Sequence, residues 1–397
     1  MPSINRRDFL KASATAAALS TPLFAGMRRP NTDYKALVCI LLEGGADTLG
    51  MVLPRFDARA DAHYRALRPG MIPSPKTIRP LVASRYGLHP EMPQLQRLYN
   101  RRDVAIVANV GALEAPVDKQ TILSQSAPLP PQLFQKIAQR DHQMMAGDDA
   151  RGWAARVADQ LKMQRVNVSF GGLNRMQYGA HHPALIGHDP HFGVLDDPDN
   201  LIGRLERIDL GIKSDASEHE MPLGRQLESV LSLMAARRSA QLPGRQIYFV
   251  RQSGWDTHGM QSDEIVRHFR RKTAELDTAI GAFVDGLTAW GLDERVTTFT
   301  TQDLAAGMRL SPVGADHGWG GHALVVGGAV RGGLYGTMPR MRPGSPDALD
   351  DNALIPTTAT DQYLATLVAW LGDGALDTDA LFPRLHRFKQ STLGFMA

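Results

Sequence analysis

Five short stretches of the chain are almost continuously apolar or β-branched: Ala36 to Leu42, Val104 to Ala108, Gln246 to Val250, Val296 to Thr300 and Ala323 to Val326. A run of this length without polar alternation predicts a strand buried on both faces, as in a parallel sheet covered by helices on each side. Between these runs, Met92 to Asn100, Arg225 to Ala240, Ser262 to Trp290 and Thr360 to Leu371 repeat apolar residues at helical spacing. Strands that alternate with helices predict an α/β fold with a mostly parallel central sheet. Two segments rich in Pro and Gly, about 111–148 and 171–200, interrupt the alternation and predict excursions over the sheet's carboxyl edge. The expected organisation is one domain over 31–397 that carries these two insertions.

Composition supports a folded domain: 397 residues with 43% hydrophobic content are ample for a large core. The formal charge of +3 includes Arg6, Arg7 and Lys11, and basic and acidic residues are otherwise interspersed, which argues against nucleic acid as a partner. Cys39 is the only cysteine, so no internal disulfide can form, and its apolar neighbours predict a small core residue.

The amino terminus reads differently. Ile4-Asn5-Arg6-Arg7-Asp8-Phe9-Leu10-Lys11 precedes an Ala- and Leu-rich stretch from Ala12 to Ala25, broken by Ser13, Thr15, Ser20 and Pro22. This pattern predicts a twin-arginine signal peptide with its linker over 1–30, cleaved near Ala25. The apolar part falls short of the roughly 20 residues that a membrane span needs. The expected route is export of a folded chain by the twin-arginine translocase to the periplasm or beyond. That route suits a protein that takes up a metal, a cofactor or a co-exported partner before crossing.

In a parallel α/β sheet, ligands gather outside the carboxyl ends of the strands, so the residues that follow each run matter most. Glu43-Gly44-Gly45-Ala46-Asp47 follows the first run, Ser253-Gly254-Trp255-Asp256-Thr257-His258 the third, and Gln302-Asp303 the fourth. Asp316-His317 and His322 stand just before the fifth. Carboxylates mixed with imidazoles suit zinc, manganese or iron, and a carboxylate-rich set also suits calcium or magnesium. Taken singly, an Asp after a strand caps a turn and a loop His faces solvent. Convergence of four strand ends on one edge is what a site requires. His181-His182-Pro183, with His188 and His191, forms a second polar cluster, read as a surface loop or, alternatively, as a metal loop or substrate edge.

These motifs resemble the bacterial domain-of-unknown-function family 1501, which is similar to the alkaline phosphatase and sulfatase superfamily. The resemblance rests on Arg6-Arg7-Asp8-Phe9-Leu10-Lys11, Leu42-Glu43-Gly44-Gly45-Ala46-Asp47, Gly87-Leu88-His89-Pro90 and Gly152-Trp153. It continues through Gly254-Trp255-Asp256-Thr257-His258, Gly314-Ala315-Asp316-His317-Gly318-Trp319-Gly320-Gly321-His322 and Val326-Gly327-Gly328-Ala329-Val330. It implies an alkaline-phosphatase-like three-layer sandwich in which Asp47, Asp256, His258, Asp303 and His317 bind divalent metal, with Asp316 and His322 as further candidates. The implied activity is metal-dependent hydrolysis of a small anionic phosphate, sulfate or phosphonate ester.

Two departures weigh against that activity. Relatives in the family carry Ser-His after a Leu-Phe pair at a helix start, whereas here Leu133-Phe134 leads into Gln135-Lys136 and later Gln139-Arg140-Asp141-His142. The family's acid-Phe-Gly-Arg-Thr stretch becomes Asp303-Leu304-Ala305-Ala306-Gly307, which keeps the acid and loses the arginine. Thr48, Ser124, Ser126 or a metal-bound water are the remaining candidates for the nucleophile. The alternative expectation is a catalytically degenerate envelope protein that binds a ligand or assists assembly.

Overall fold

The computed structural model describes residues 33–55, 58–145, 151–179, 185–186, 221–238, 240–311 and 313–397. The signal segment and His181, His182, His188 and His191 lie outside the described residues.

The strands are β1 (Lys35–Leu42), β2 (Val52–Pro54), β3 (Arg79–Pro80), β4 (Tyr86–Leu88), β5 (Val104–Gly111), β6 (Asn167–Ser169), β7 (Leu185–Ile186) and β8 (Arg245–Gln252). They continue as β9 (Val296–Gln302), β10 (Ala306–Ser311), β11 (Gly314–His317), β12 (Gly321–Val326), β13 (Gly333–Tyr335), β14 (Ala348–Leu349), β15 (Ala353–Leu354) and β16 (Thr358–Ala359). The helices are α1 (Ala58–Leu67), α2 (Pro93–Asn100), α3 (Lys119–Leu123), α4 (Lys136–Met145), α5 (Trp153–Leu161), α6 (Leu223–Ala236), α7 (Ser262–Ala289), α8 (Thr360–Gly372) and α9 (Thr378–Leu381).

The main sheet runs β13-β5-β12-β9-β1-β8-β6-β7, with β16 beside β5. All five apolar runs are strands of it. Its pairings are parallel except those of β12, which is antiparallel to both β5 and β9. The sheet is therefore mixed and mostly parallel.

Alternate residues of β1 enter opposite cores, as the two-residue period of a strand requires. Val38, Ile40 and Leu42 pack with Leu95 and Leu98 of α2, Leu227 and Leu231 of α6, and Leu276 and Phe283 of α7. Leu37, Cys39 and Leu41 pack with Trp153 and Val157 of α5 and with Tyr363, Leu367 and Leu371 of α8. Helices thus cover both faces and make three layers. Cys39 is fully buried, as expected.

Of the segment 111–148, the described residues 111–145 are more regular than the composition implies, since they hold α3 and α4. The Gly152-Trp153 motif is structural: a Cβ on Gly152 would lie 2.0 Å from the Met176 carbonyl, and Trp153 fills the α5 core.

Candidate functional site at the carboxyl edge of the sheet

β9, β1 and β8 are neighbours in register, with Leu42 opposite both Gln302 and Gln252. Their following loops therefore leave the sheet at one level. Because β12 runs antiparallel to β9, its amino end lies at that same edge, which brings in the residues from Gly314 to His322. The β10–β11 hairpin docks on the loop after β8, where Gly259 N–H donates to Val313 O (3.0 Å) and Ala315 N–H to Thr257 Oγ1 (3.2 Å).

Two of the candidate acids are buried and already neutralised. Asp47 caps the short 3-10 turn Thr48–Gly50 by accepting from Gly50 N–H at 3.1 Å. Its other oxygen takes the guanidinium of Arg68, a fully buried side chain that also donates to the carbonyls of Gly307 (3.1 Å) and Met308 (3.2 Å). Asp303 is inaccessible to solvent. It accepts from the backbone N–H groups of Gly44 (3.0 and 3.1 Å), Gly45 (3.1 Å) and Leu304 (2.9 Å). Lys136 Nζ adds an ammonium 3.4 Å from its Oδ2.

The backbone cradle depends on glycine. Gly44 and Gly45 adopt φ of +114° and +80°, and a Cβ on Gly44 would meet the backbone nitrogen of Asp256 at 2.7 Å. The two N–H groups can converge on one carboxylate only because neither residue carries a side chain there.

The remaining candidates form an exposed cluster. Asp256 Oδ1 lies 2.6 Å from His258 Nδ1, and the rings of His258 and His317 stand edge to face with centroids 5.4 Å apart. His317 Nδ1 lies 3.0 Å from the carbonyl of Phe134. Carboxylate and carbonyl oxygens only accept, so each neutral ring carries its proton on Nδ1 and offers the Nε2 lone pair. Burial pushes the Asp256 carboxyl up, but the His258 backbone N–H and ring, with Lys136 nearby, outweigh it and hold the group below its ordinary value.

Asp316 is exposed on β11, immediately before His317. His322 is buried, and burial lowers its imidazole to about 4, so it is neutral. Thr48 is also buried, and its hydroxyl oxygen accepts from His322 N–H at 2.8 Å. Ser124 and Ser126 are exposed beyond α3, with their hydroxyls 2.9 Å apart.

The residues that sequence reasoning missed are Arg68 and Lys136. Lys136 is the first residue of α4, the helix entered from Leu133-Phe134, so an ammonium stands where relatives would start their helix with Ser-His. Phe134 reaches this turn at φ +74°, held by an edge-to-face contact with Trp319 at 6.5 Å. A bulky residue in the left-handed region is the kind of strain that gathers at functional sites. Around the mouth, Glu43 lies between Arg140 (3.8 Å) and Arg251 (3.4 Å).

A two-ion metal centre does not fit this donor set. Asp303 has its lone pairs occupied by three N–H groups and an ammonium, and Asp47 faces a buried guanidinium whose charge opposes a metal cation beside it. Among the described residues, no group of three or more His, Cys, Asp or Glu side chains is arranged to hold a metal ion.

Fold and edge together define a class: an α/β sandwich whose strand ends carry acids, imidazoles and internal cations. Residues 212–367, which include the Gly254–His258 and Gly314–His322 motifs, match the model of a family described as "Protein of unknown function (DUF1501)", the family to which the motifs pointed. No curated protein matches the chain. Among solved structures, the chain is similar to a protein in the alkaline phosphatase superfamily from Vibrio parahaemolyticus, at 13% identity and TM-score 0.42, over 85% of this chain and 66% of that one. This chain thus spans just under two thirds of the Vibrio protein. It is also similar to the sulfatase PsFucS1 from Pseudoalteromonas sp., at 10% identity and TM-score 0.39, over 96% of this chain and 75% of that one. A third likeness is to a phosphonate monoester hydrolase from Silicibacter pomeroyi, at 11% identity and TM-score 0.37, over 85% of this chain and 73% of that one. At these values the likenesses say nothing of chemistry. No helix among the described residues is long and apolar enough to cross a membrane.

Proposed function

We propose that this chain is an exported, catalytically degenerate relative of phosphate and sulfate ester hydrolases that binds an anionic group without cleaving it. The observation that carries the reading is the pairing of both interior acids with the protein's own cations, Asp47 with Arg68 and Asp303 with Lys136. A metal at Asp47 Oδ2 would have to displace the Arg68 guanidinium from a buried position in which it also holds two carbonyls. Removing one partner of a buried pair costs about 3–5 kcal/mol, which opposes the exchange.

The exposed cations at the mouth suit an anion. Lys136 is 39% exposed and Arg140 29%; both stand on α4, where Lys136 is near enough to Asp256 of the outer cluster to lower its carboxyl and Arg140 faces Glu43. An oxyanion at this mouth would meet charge-assisted donors but no aligned nucleophile, because Thr48 is buried and its hydroxyl oxygen is engaged. The test is calorimetric titration with inorganic sulfate and phosphate beside turnover assays on p-nitrophenyl phosphate and sulfate with added zinc, manganese or calcium. Saturable anion binding that Lys136→Met weakens, with no turnover above an Asp47→Asn control, supports the proposal. Metal-stimulated turnover that disappears in Asp47→Asn sinks it.

One observation favours a second reading, a hydrolase that uses a single ion. His258 and His317 both direct their protons to fixed acceptors and leave Nε2 free to ligate, the arrangement of imidazoles held by outer partners. Under that reading, Asp256→Ala with His258→Ala removes both metal and activity.

A further inference from the structure

Beside this edge lies a second cavity, of about 410 Å³, between the β2–β4 ribbon, α1 and the 338–342 loop. Val52, Tyr64, Tyr86, Met338 and Met341 supply apolar and aromatic walls. This size is within the usual range for small-molecule sites, roughly 300–1,000 Å³. The charged side chains that line it among the described residues are all cationic. Arg340 is committed to Asp347, with Nη2 2.6 Å from Oδ1 and Nε 2.9 Å from Oδ2. Arg342 is exposed at the rim and has no ion-pair partner among the described residues beyond the distant pull of Asp347. His63 stands half-buried on the α1 side.

The deep end carries an unused donor. His322 is 4% exposed and lines the cavity. Its Nδ1 accepts from the backbone N–H of Asn109 at 3.3 Å, and because that group can only donate, the ring proton sits on Nε2. Nε2–H has no acceptor among the described residues. A ligand oxygen that enters the cavity would give this N–H its acceptor.

We propose that this cavity binds a small amphipathic organic anion, with its apolar body between the methionines and tyrosines, its negative head at Arg342 and an oxygen acceptor on His322 Nε2. The site is separate from the acid cluster and does not depend on its reading. The two adjoin through the turn Thr48–Gly50, since Tyr64 donates its hydroxyl proton to Leu49 O and Thr48 receives the His322 N–H.

The experiment is fluorescence titration of the full chain with 1-anilinonaphthalene-8-sulfonate and with its uncharged counterpart N-phenyl-1-naphthylamine. The expected result is saturable binding of the sulfonate at one site. Met341→Trp, and separately Met338→Trp, should fill the cavity and abolish binding of both probes while the melting temperature holds. Arg342→Ala should weaken the sulfonate by about tenfold, the worth of one charge-assisted hydrogen bond, and leave the neutral probe within about twofold. Exposed Ile137, which lies outside the cavity, provides the control, and Ile137→Ser should change nothing. No saturable binding, or binding that survives both tryptophan variants, would overturn the site. Equal loss of both probes in Arg342→Ala would overturn its preference for anions.

Discussion

The two halves of the strand-end edge use the same residue types to opposite ends. In the interior half, Asp47 and Asp303 are buried, hydrogen-bonded on both carboxylate oxygens and matched with Arg68 and Lys136. In the outer half, Asp256, His258 and His317 are partly exposed, touch one another and keep both Nε2 atoms unspent. An acid inside a low-dielectric core must find a permanent counter-charge, whereas an acid at the surface can leave its charge to water. The comparison teaches that an acid at a strand end becomes a ligand only if the fold has not already supplied its cation.

The largest test of that contrast is Arg68→Met. It strands Asp47 as a buried unpaired charge and should cost about 3–5 kcal/mol in chemical denaturation, whereas Asp256→Ala should stay within about 0.5 kcal/mol. Adding Asp47→Asn to Arg68→Met should restore much of the loss. Equal effects at the two sites would erase the distinction between them.

Acid titration gives the next effect. Burial lowers both His322 and His89 to about 4, and the opposing pull of Glu91 on His89 does not offset it. Their folded values lie below the unfolded one, so the unfolded chain binds more protons in this interval. The stability they contribute is complete above pH 6.5 and is lost as pH falls toward 4, by about 3 kcal/mol each at most. Asp277 opposes them. Burial raises its carboxyl to about 6, against the Leu95 and Gln94 N–H groups that lower it, so its contribution falls as pH rises from 4 to 6. Urea midpoints should therefore drop between pH 7 and 4.5, and more steeply in Asp277→Asn. A flat profile would show that the buried imidazoles are not held neutral.

Gly44→Ala is the smaller structural probe. A methyl group at φ +114°, in collision with the Asp256 nitrogen, should cost about 1–3 kcal/mol and disturb both halves at once. The expected sign is a fall in melting temperature together with a shift of the His258 ring resonances. Unchanged resonances would separate the two clusters.

Much of this fold was legible in the sequence because strands buried on both faces have nowhere to place a polar residue. β1, β5, β8, β9 and β12 each stand out as apolar runs, and the helix that begins at Ser262 as a long periodic one. The direction of β12 was not legible, since a short apolar run carries no polarity. Nor were α3 and α4, which lie in and just after a proline-rich stretch. At the site, the loop chemistry was legible but its electrostatics were not. Lys136 follows a Leu-Phe pair and Arg68 closes α1, and neither position signals that its charge folds onto a strand-end acid. His322 resembled a ligand because of its glycine-rich approach, yet its ring is buried beside Asn109.

The most direct measurement is elemental analysis of the full chain purified without chelator, beside Asp303→Asn and Asp47→Asn variants prepared identically. Internal neutralisation predicts no stoichiometric zinc, manganese, iron, calcium or magnesium in any of the three. One or two equivalents of metal in the parent, lost when either acid becomes an amide, would contradict it.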